Sequence, residues 1–276
     1  MATLPASTQS SETAPRGRRA APVADPALEA PFVAWDWLYG YLRREFKQGD
    51  HAAIIGPTGA GKTHIAFPLA EIRTYVLVVA CKPKDPLITD AVARGYWLNQ
   101  TDHLEVPYVD GRPLHSKVVY WPRLSERARR KLPQHLVLGA EKRHQKPRVG
   151  AALGYVRNEG HWCLLLDEGT WVCRDLNLQR DVDSALQNFR TMRASIIILG
   201  QRPSWMGRYV LNQPTHLFLF QTADLNDRKA LGDISGFDSK LTAELVQQLD
   251  HKQHEALYLN TRTREMFRTV APARKR

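Results

Sequence analysis

A glycine-rich segment near residue 60 has the residue types and spacing of a phosphate-binding loop. Residues 56–63 read GPTGAGKT and fit G-x-x-x-x-G-K-[ST], between the apolar stretch Ala52–Ile55 and a helical stretch, Thr63–Ile72. Glycines let the backbone wrap an anion, with its amides pointing inward at a positive helix end. Lys62 is expected to reach the β- and γ-phosphates of ATP, and the Thr63 hydroxyl to ligate Mg²⁺. The predicted nucleotide-binding set is Gly56, Pro57, Thr58, Gly59, Ala60, Gly61, Lys62 and Thr63.

Two adjacent acids, Asp167 and Glu168, follow the apolar run Trp162–Leu166. A parallel strand that ends in carboxylates beside a phosphate loop fits phosphoryl-transfer chemistry. Asp167 is expected to hold Mg²⁺, and Glu168 to orient and deprotonate the attacking water. Adjacent acids at a strand end are also common as solvated caps, so only their combination with the loop favours hydrolysis over simple nucleotide binding.

A polar residue, Gln201, follows a further apolar run, Ser195–Leu199. About 100 residues separate Thr63 from Leu164, which is enough for another strand–helix layer between the loop and the acid strand. NTPases that insert a strand between these two strands have this layout. A polar residue at the end of that strand is expected next to the γ-phosphate.

The elements that must position these residues follow from the hydrophobic periodicity. Strands alternate with helices, which predicts an α/β domain with a mostly parallel sheet flanked by helices. The further predicted strands are Tyr75–Ala80, Lys117–Trp121, His216–Phe220 and a terminal hairpin of Glu255–Leu259 with Glu265–Thr269. The further predicted helices are Ala34–Lys47, Leu124–Leu132, Val149–Arg157, Val182–Arg193 and Ser239–Leu249. Pro68 is expected to kink the helix after the loop or to end it early, and Leu136–Arg148 is ambiguous, with a loop as one alternative.

Composition limits the classes of protein that remain. Of 276 residues, 43% are hydrophobic and 24% are charged, which is typical of a globular chain. No apolar run is long enough to span a membrane, and no signal peptide is expected. Three cysteines leave one thiol without a disulfide partner, which favours a reducing compartment. Residues 1–31, rich in Ala, Pro, Ser and Thr, are predicted to be a disordered tail, and 32–276 a single P-loop ATPase domain.

The net charge of +11 is concentrated in one region. Residues 112–148, a predicted basic insertion, contain eleven basic and two acidic residues. Such a localised excess suggests a polyanionic partner, with nucleic acid first and an anionic membrane surface second. A solvated face that only keeps the chain soluble is the alternative reading.

The segments GPTGAGKT, LLLDE and ILGQRPS together resemble the FtsK–HerA superfamily of DNA-pumping ring ATPases. The resemblance implies a RecA-like P-loop NTPase core, and it implies that Gln201 senses the γ-phosphate. The family carries an arginine eleven positions before this glutamine, which here is Arg190, with Arg193 as the runner-up. By resemblance Arg190 is an arginine finger donated to the neighbouring subunit. The implied catalytic set is Glu168, Lys62, Gln201 and Arg190.

The same resemblance implies an ATP-hydrolysing DNA translocase that forms a homo-oligomeric ring. By resemblance to the family, this ring is expected to be a hexamer. The short chain suits a phage or another mobile element, acting in the host cytoplasm or on the virion, for example in DNA packaging. Loops of the basic region would then contact DNA backbone phosphates through Arg127, Arg129, Arg130, Lys131, Lys142, Arg143, Lys146 and Arg148. One departure stands out: Lys82 occupies a position where the family often has an acid.

Two other functions fit the same motifs. A nucleotide-dependent switch or assembly ATPase would bind a membrane or a protein partner through its basic face. A small-molecule kinase shares the phosphate loop, but it needs a substrate pocket and a lid, and the acid pair with the glutamine fits it less well.

Overall fold

The computed structural model describes residues 30–82, 86–100, 102–232, 234 and 237–273. Almost all of the predicted tail, residues 1–31, lies outside these ranges, so its disorder stays a prediction. Among the described residues, no helix has both the length and the apolar character needed to cross a bilayer.

The described part of the chain alternates strands and helices. The helices are α1 (Trp35–Glu45), α2 (Lys62–Ala70), α3 (Pro86–Ala93), α4 (Glu126–Arg130), α5 (Gln134–Glu159), α6 (Gln179–Asn188), α7 (Arg208–Asn212), α8 (Leu225–Gly232) and α9 (Ser239–Gln248). The strands are β1 (Ala52–Ile55), β2 (Tyr75–Val79), β3 (Trp97–Asn99), β4 (Tyr108–Val109), β5 (Arg112–Pro113), β6 (Lys117–Tyr120), β7 (Trp162–Leu166), β8 (Ser195–Gly200), β9 (His216–Phe220), β10 (Glu255–Asn260) and β11 (Glu265–Val270). A π-helical turn, Trp171–Asp175, follows the acid pair.

Nine of these strands form one sheet in the order β11-β10-β9-β1-β8-β7-β2-β6-β3. All pairs from β9 to β3 are parallel, while β10 runs antiparallel to both β9 and β11. The predicted α/β fold, with a mostly parallel sheet and a C-terminal hairpin, is therefore confirmed. Strand β8 lies between the loop strand β1 and the acid strand β7, as the spacing of the motifs predicts.

The sheet is buried on both faces, which explains its continuous apolar strands. In β7, Leu164 and Leu166 pack on one face with α5 and α6, whereas Cys163 and Leu165 pack on the other with α1 and α2. All four side chains are fully buried. Burying each leucine contributes about 2 kcal/mol, so the sheet is a rigid platform for the loops at its edge.

The loop alternative for Leu136–Arg148 is wrong, because α5 runs through it without interruption from Gln134 to Glu159. Its buried residues are Glu141, Gln145, Val149, Ala152, Leu153 and Val156, at helical spacing. The first two are polar, so the apolar periodicity is hidden in this half of the helix. Helix α2 ends two residues after Pro68 rather than at Ile72, in line with the expected early end.

Candidate active site

The predicted phosphate loop joins β1 to α2 at the carboxyl edge of the parallel sheet. Its first glycine continues the strand, since the Gly56 N–H donates to the Gly200 carbonyl over 3.0 Å. A Cβ on Gly56 would lie 2.5 Å from Cβ of Phe220, so no larger residue fits there. Gly59 and Gly61 have φ of +81° and +101°, the left-handed region that favours glycine. The loop therefore turns back above the start of α2.

Lys62, the first residue of α2, reaches back into the loop. Its ammonium donates to the carbonyl oxygens of Gly56 and Pro57 over 2.7 and 2.8 Å. Burial lowers the pKa of Lys62 to about 8, against the opposing field of Glu168. A bound phosphate would bring a further negative charge to this partly desolvated ammonium and favour its charged form.

The two acids at the end of β7 are shielded and face the same space. The side chains of Asp167 and Glu168 are 6% and 12% exposed. The Gln201 amide, at the end of β8, donates to both carboxylate oxygens of Glu168 over 3.2 and 3.1 Å. The neighbouring parallel strands β7 and β8 thus bring the acid pair and Gln201 together, although Glu168 and Gln201 are 33 positions apart in the sequence.

Lys82, predicted only as a departure from the family pattern, lies in the same place. Its Nζ is 3.2 Å from Oδ2 of Asp167 and also pairs with the Glu168 carboxylate. The reason is the register of the sheet: Val79 in β2 is paired with Leu166 in β7, so the residues that follow both strands meet. The sequence signal is a charged residue three positions after the last residue of a buried strand.

These groups line one cleft of about 270 Å³. Its lining includes Thr58, Gly59, Gly61, Lys62, Thr63, His64, Lys82, Asp90, Asp167, Glu168, Gln201 and His254. The Thr63 hydroxyl and the Asp167 carboxylate are hard oxygen donors, which Mg²⁺ prefers. The donor set therefore fits a magnesium–nucleotide complex. Three residues of the predicted loop set, Gly56, Pro57 and Ala60, are not in this lining, and Ala60 packs in the core.

Arg190 lies at the opposite edge of the sheet. It precedes β8, whereas Gln201 follows β8, and a strand of six residues spans about 20 Å. Its guanidinium donates to the Thr215 hydroxyl over 3.3 Å, and the residue is exposed. Arg193, also exposed, has φ of +56° in the turn into β8. The fold therefore keeps both arginines away from the cleft of their own chain.

The eight basic residues predicted to contact DNA lie in and around α4 and the first half of α5. Four of them are paired with acids: Arg129 with Glu141 at 3.0 Å, Lys142 with Asp175 at 2.7 Å, Arg148 with Asp102 at 3.4 Å and Arg130 with Glu126 at 3.7 Å. The other four are exposed, and within the described ranges no ion pair joins them to an acid: Arg127, Lys131, Arg143 and Lys146.

No protein-family model matches the sequence, and no curated protein matches it. Solved structures match its fold. The genome packaging NTPase B204 of Sulfolobus turreted icosahedral virus 2, in complex with AMPPCP, has a TM-score of 0.54 at 16% identity, over 82% of this chain and 98% of that chain. VirB4 of Thermoanaerobacter pseudethanolicus has a TM-score of 0.57 at 10% identity, over 81% and 90% of the two chains. The chain therefore shares the α/β fold of these two proteins, which confirms the predicted RecA-like P-loop NTPase fold.

Proposed function

We propose that this protein is an ATP-hydrolysing motor that moves DNA, working as a homo-oligomeric ring. One observation carries the proposal: β1, β8 and β7, adjacent in the sheet, bring the phosphate loop, Gln201 and the acid pair into one cleft. A structural neighbour named as a genome packaging NTPase, with a nucleotide analogue in its complex, supports a nucleotide site and a role in moving a genome.

In the proposed reaction the loop amides and the Lys62 ammonium hold the phosphates of ATP. Glu168 orients a water molecule and accepts its proton as the water oxygen bonds to the γ-phosphorus. The bond from the γ-phosphorus to the bridging oxygen breaks, and ADP and inorganic phosphate are released. The Gln201 amide donates to the Glu168 carboxylate, and we expect it to contact the same phosphate. This chain's residues thus supply positioning, charge and a base, which is what phosphoryl transfer requires.

Thr63 and Asp167 are the residues that would hold Mg²⁺. Bound there, the ion supplies positive charge to the phosphate oxygens. The Asp167 carboxylate is shielded from water, so its attraction for a cation is stronger than at an open surface.

The position of Arg190 supports a ring. Arg190 is exposed and lies at the far edge of its own sheet, so the nucleotide that we expect it to contact is that of a neighbouring subunit. We expect the ring to pass DNA along Arg127, Lys131, Arg143 and Lys146, by backbone contacts without base reading. The host cytoplasm or a virion is the expected setting.

Steady-state ATP hydrolysis across a protein titration, with and without double- and single-stranded DNA, tests the proposal. We expect activity per subunit to rise with protein concentration and again with DNA, and to be lost in Glu168→Gln. Activity that is independent of both concentration and DNA would reject the motor and favour a nucleotide-dependent switch or assembly ATPase that binds a membrane or protein partner.

A further inference from the structure

A second lysine of the cleft, Lys82, lies outside the phosphate loop. Its ammonium is 3.2 Å from Asp167 Oδ2 and pairs with Glu168 as well. Sequences of the FtsK–HerA type often carry an acid at this position. Lys82 is therefore a feature of this chain that its resemblance to the family does not explain.

The backbone at Lys82 is held from two sides. The Trp121 indole N–H donates to the Lys82 carbonyl over 2.8 Å, and the buried Gln145 amide donates to the Cys81 carbonyl over 2.8 Å. The Lys82 side chain is 43% exposed and lines the cleft. The backbone of Lys82 is therefore fixed, whereas its methylene chain is flexible and partly exposed. The ammonium can move within the cleft while the Cα position stays unchanged.

Lys82 and Gln201 approach the same carboxylate. Gln201 donates to both oxygens of Glu168, and Lys82 pairs with one of them. A cation that binds Asp167 must compete with the Lys82 ammonium, because both interact with the same shielded carboxylate. A displaced ammonium needs another anion. A phosphate bound beside Gln201 would be close to Lys82, because both side chains already meet at Glu168.

We propose that Lys82 is a second phosphate-binding lysine, which contacts the terminal phosphate of the nucleotide from the acid-pair side of the cleft. It complements Lys62, which approaches the phosphates from the loop. The proposal rests on the proposed nucleotide site at residues 56–63, and it specifies that the site distinguishes a triphosphate from a diphosphate. A point charge on a flexible stem suits a phosphate oxygen of variable position.

Equilibrium binding of a non-hydrolysable ATP analogue and of ADP, at saturating Mg²⁺, tests this. For Lys82→Ala we expect the affinity for the triphosphate to fall about tenfold, equivalent to about 1.4 kcal/mol. ADP affinity should stay within about twofold of wild type. Lys82→Arg should recover part of the triphosphate affinity because it keeps the charge. Lys240→Ala removes a lysine that is 87% exposed and outside the cleft, and should change neither affinity.

Equal losses for the triphosphate and ADP, or no loss for either, would overturn the role of Lys82. So would a gain in triphosphate affinity, because Lys82 would then obstruct the site by holding Asp167. Thermal unfolding midpoints equal to wild type show that the variants are folded. If Lys82→Ala does not fold, Lys82→Gln, which keeps a long polar side chain but removes the charge, repeats the test. A wild-type protein that binds neither nucleotide rejects the proposed function itself, whereas wild-type binding with an unchanged Lys82→Ala rejects only this inference.

Discussion

At the scale of single residues, we expect hydrolysis to depend on Glu168. Its carboxylate is 12% exposed, accepts from the Gln201 amide and pairs with Lys82. The amide fixes its orientation, which a base needs to reach a water molecule. A neutral amide at this position keeps the shape but cannot accept the proton.

We therefore expect Glu168→Gln to lower kcat by about 10²–10³-fold while nucleotide binding persists. Single-turnover hydrolysis and equilibrium binding of ATP measure the two effects separately. Glu244→Gln, on the remote helix α9, serves as the matched control. Hydrolysis at the wild-type rate by the Glu168 variant would remove Glu168 from the mechanism.

His51, fully buried before β1, makes stability depend on pH. Its Nδ1 accepts from the Ile196 N–H over 3.1 Å, which requires the neutral ring. Burial, with the field of Arg190, lowers the pKa of His51 from 6.5 to about 4. Because of this shift, the unfolded chain binds a proton at His51 more readily than the folded chain does. The contribution of neutral His51 to the free energy of unfolding is therefore complete above pH 6.5 and is lost as the pH falls toward about 4.

We expect His51→Asn, which keeps an acceptor for Ile196, to lose less stability on acidification than wild type, by about 3 kcal/mol near pH 4. Urea unfolding at a series of pH values measures the difference. His135→Asn, at an exposed position, should follow the wild-type curve. Parallel curves for His51→Asn and wild type would show that His51 is not the group responsible.

At the scale of elements, α5 joins the basic region to the cleft. Gln145 is buried in its middle and donates to the Cys81 carbonyl before Lys82. Its amide oxygen also accepts from the Trp171 indole N–H over 2.8 Å, in the π-helical turn after the acid pair. One side chain of α5 thus connects the segments that follow β2 and β7, whose ends form the cleft.

Replacing Gln145 by Leu leaves both partners without their hydrogen bonds in a buried setting. We expect the free energy of unfolding to fall by about 2 kcal/mol. Hydrolysis should fall as well, because the Lys82 and Glu168 segments lose their common support. Gln134→Leu, at the exposed start of the same helix, is the control and should have little effect on urea unfolding or on kcat. If Gln145→Leu were as stable as wild type, the hydrogen bonds of Gln145 would not be what supports the segments after β2 and β7.

At the scale of the whole molecule, the two edges of the sheet carry different halves of the proposed site. The cleft lies at the carboxyl edge and Arg190 at the other, separated by the length of β8. Each subunit would therefore be incomplete alone, and activity would depend on assembly.

We expect Arg190→Ala to bind ATP like wild type but to lose the rise of specific activity with protein concentration. Arg193→Ala, which removes the neighbouring exposed arginine, should keep that rise. Hydrolysis and sedimentation measured over the same concentration series separate lost assembly from lost catalysis. If Arg193→Ala alone is affected, the finger is Arg193.

DNA affinity should depend on salt according to the number of basic residues that contact phosphates. Four of the eight residues predicted to contact DNA are exposed and have no acid partner within the described ranges, so we expect log K against log salt to have a slope of about −4 for duplex DNA. Lys146→Ala should reduce this slope by about one, whereas Arg148→Ala, paired with Asp102, should change it less. A slope near zero would exclude a DNA-binding role for this region.

The sequence alone determined the strand pattern and the residue types of the cleft. The apolar runs at β1, β7 and β9 and the glycine spacing of the loop are local signals, and local signals are what a sequence displays directly. The order of the motifs was sufficient to predict that β8 separates the loop strand from the acid strand. The roles assigned to these residues stay predictions until they are measured.

Tertiary structure decided what depends on contacts between distant residues. Lys82 joined the acid pair only because β2 and β7 are neighbours, a pairing across 85 positions. The helical state of α5 depended on polar residues, Glu141 and Gln145, whose partners lie in other elements. Four of the eight basic residues predicted to contact DNA are paired with acids, and two of these acids, Asp102 and Asp175, come from outside the basic region. Charge counting along a chain cannot detect such pairs, because their energies depend on distances that only the folded state sets.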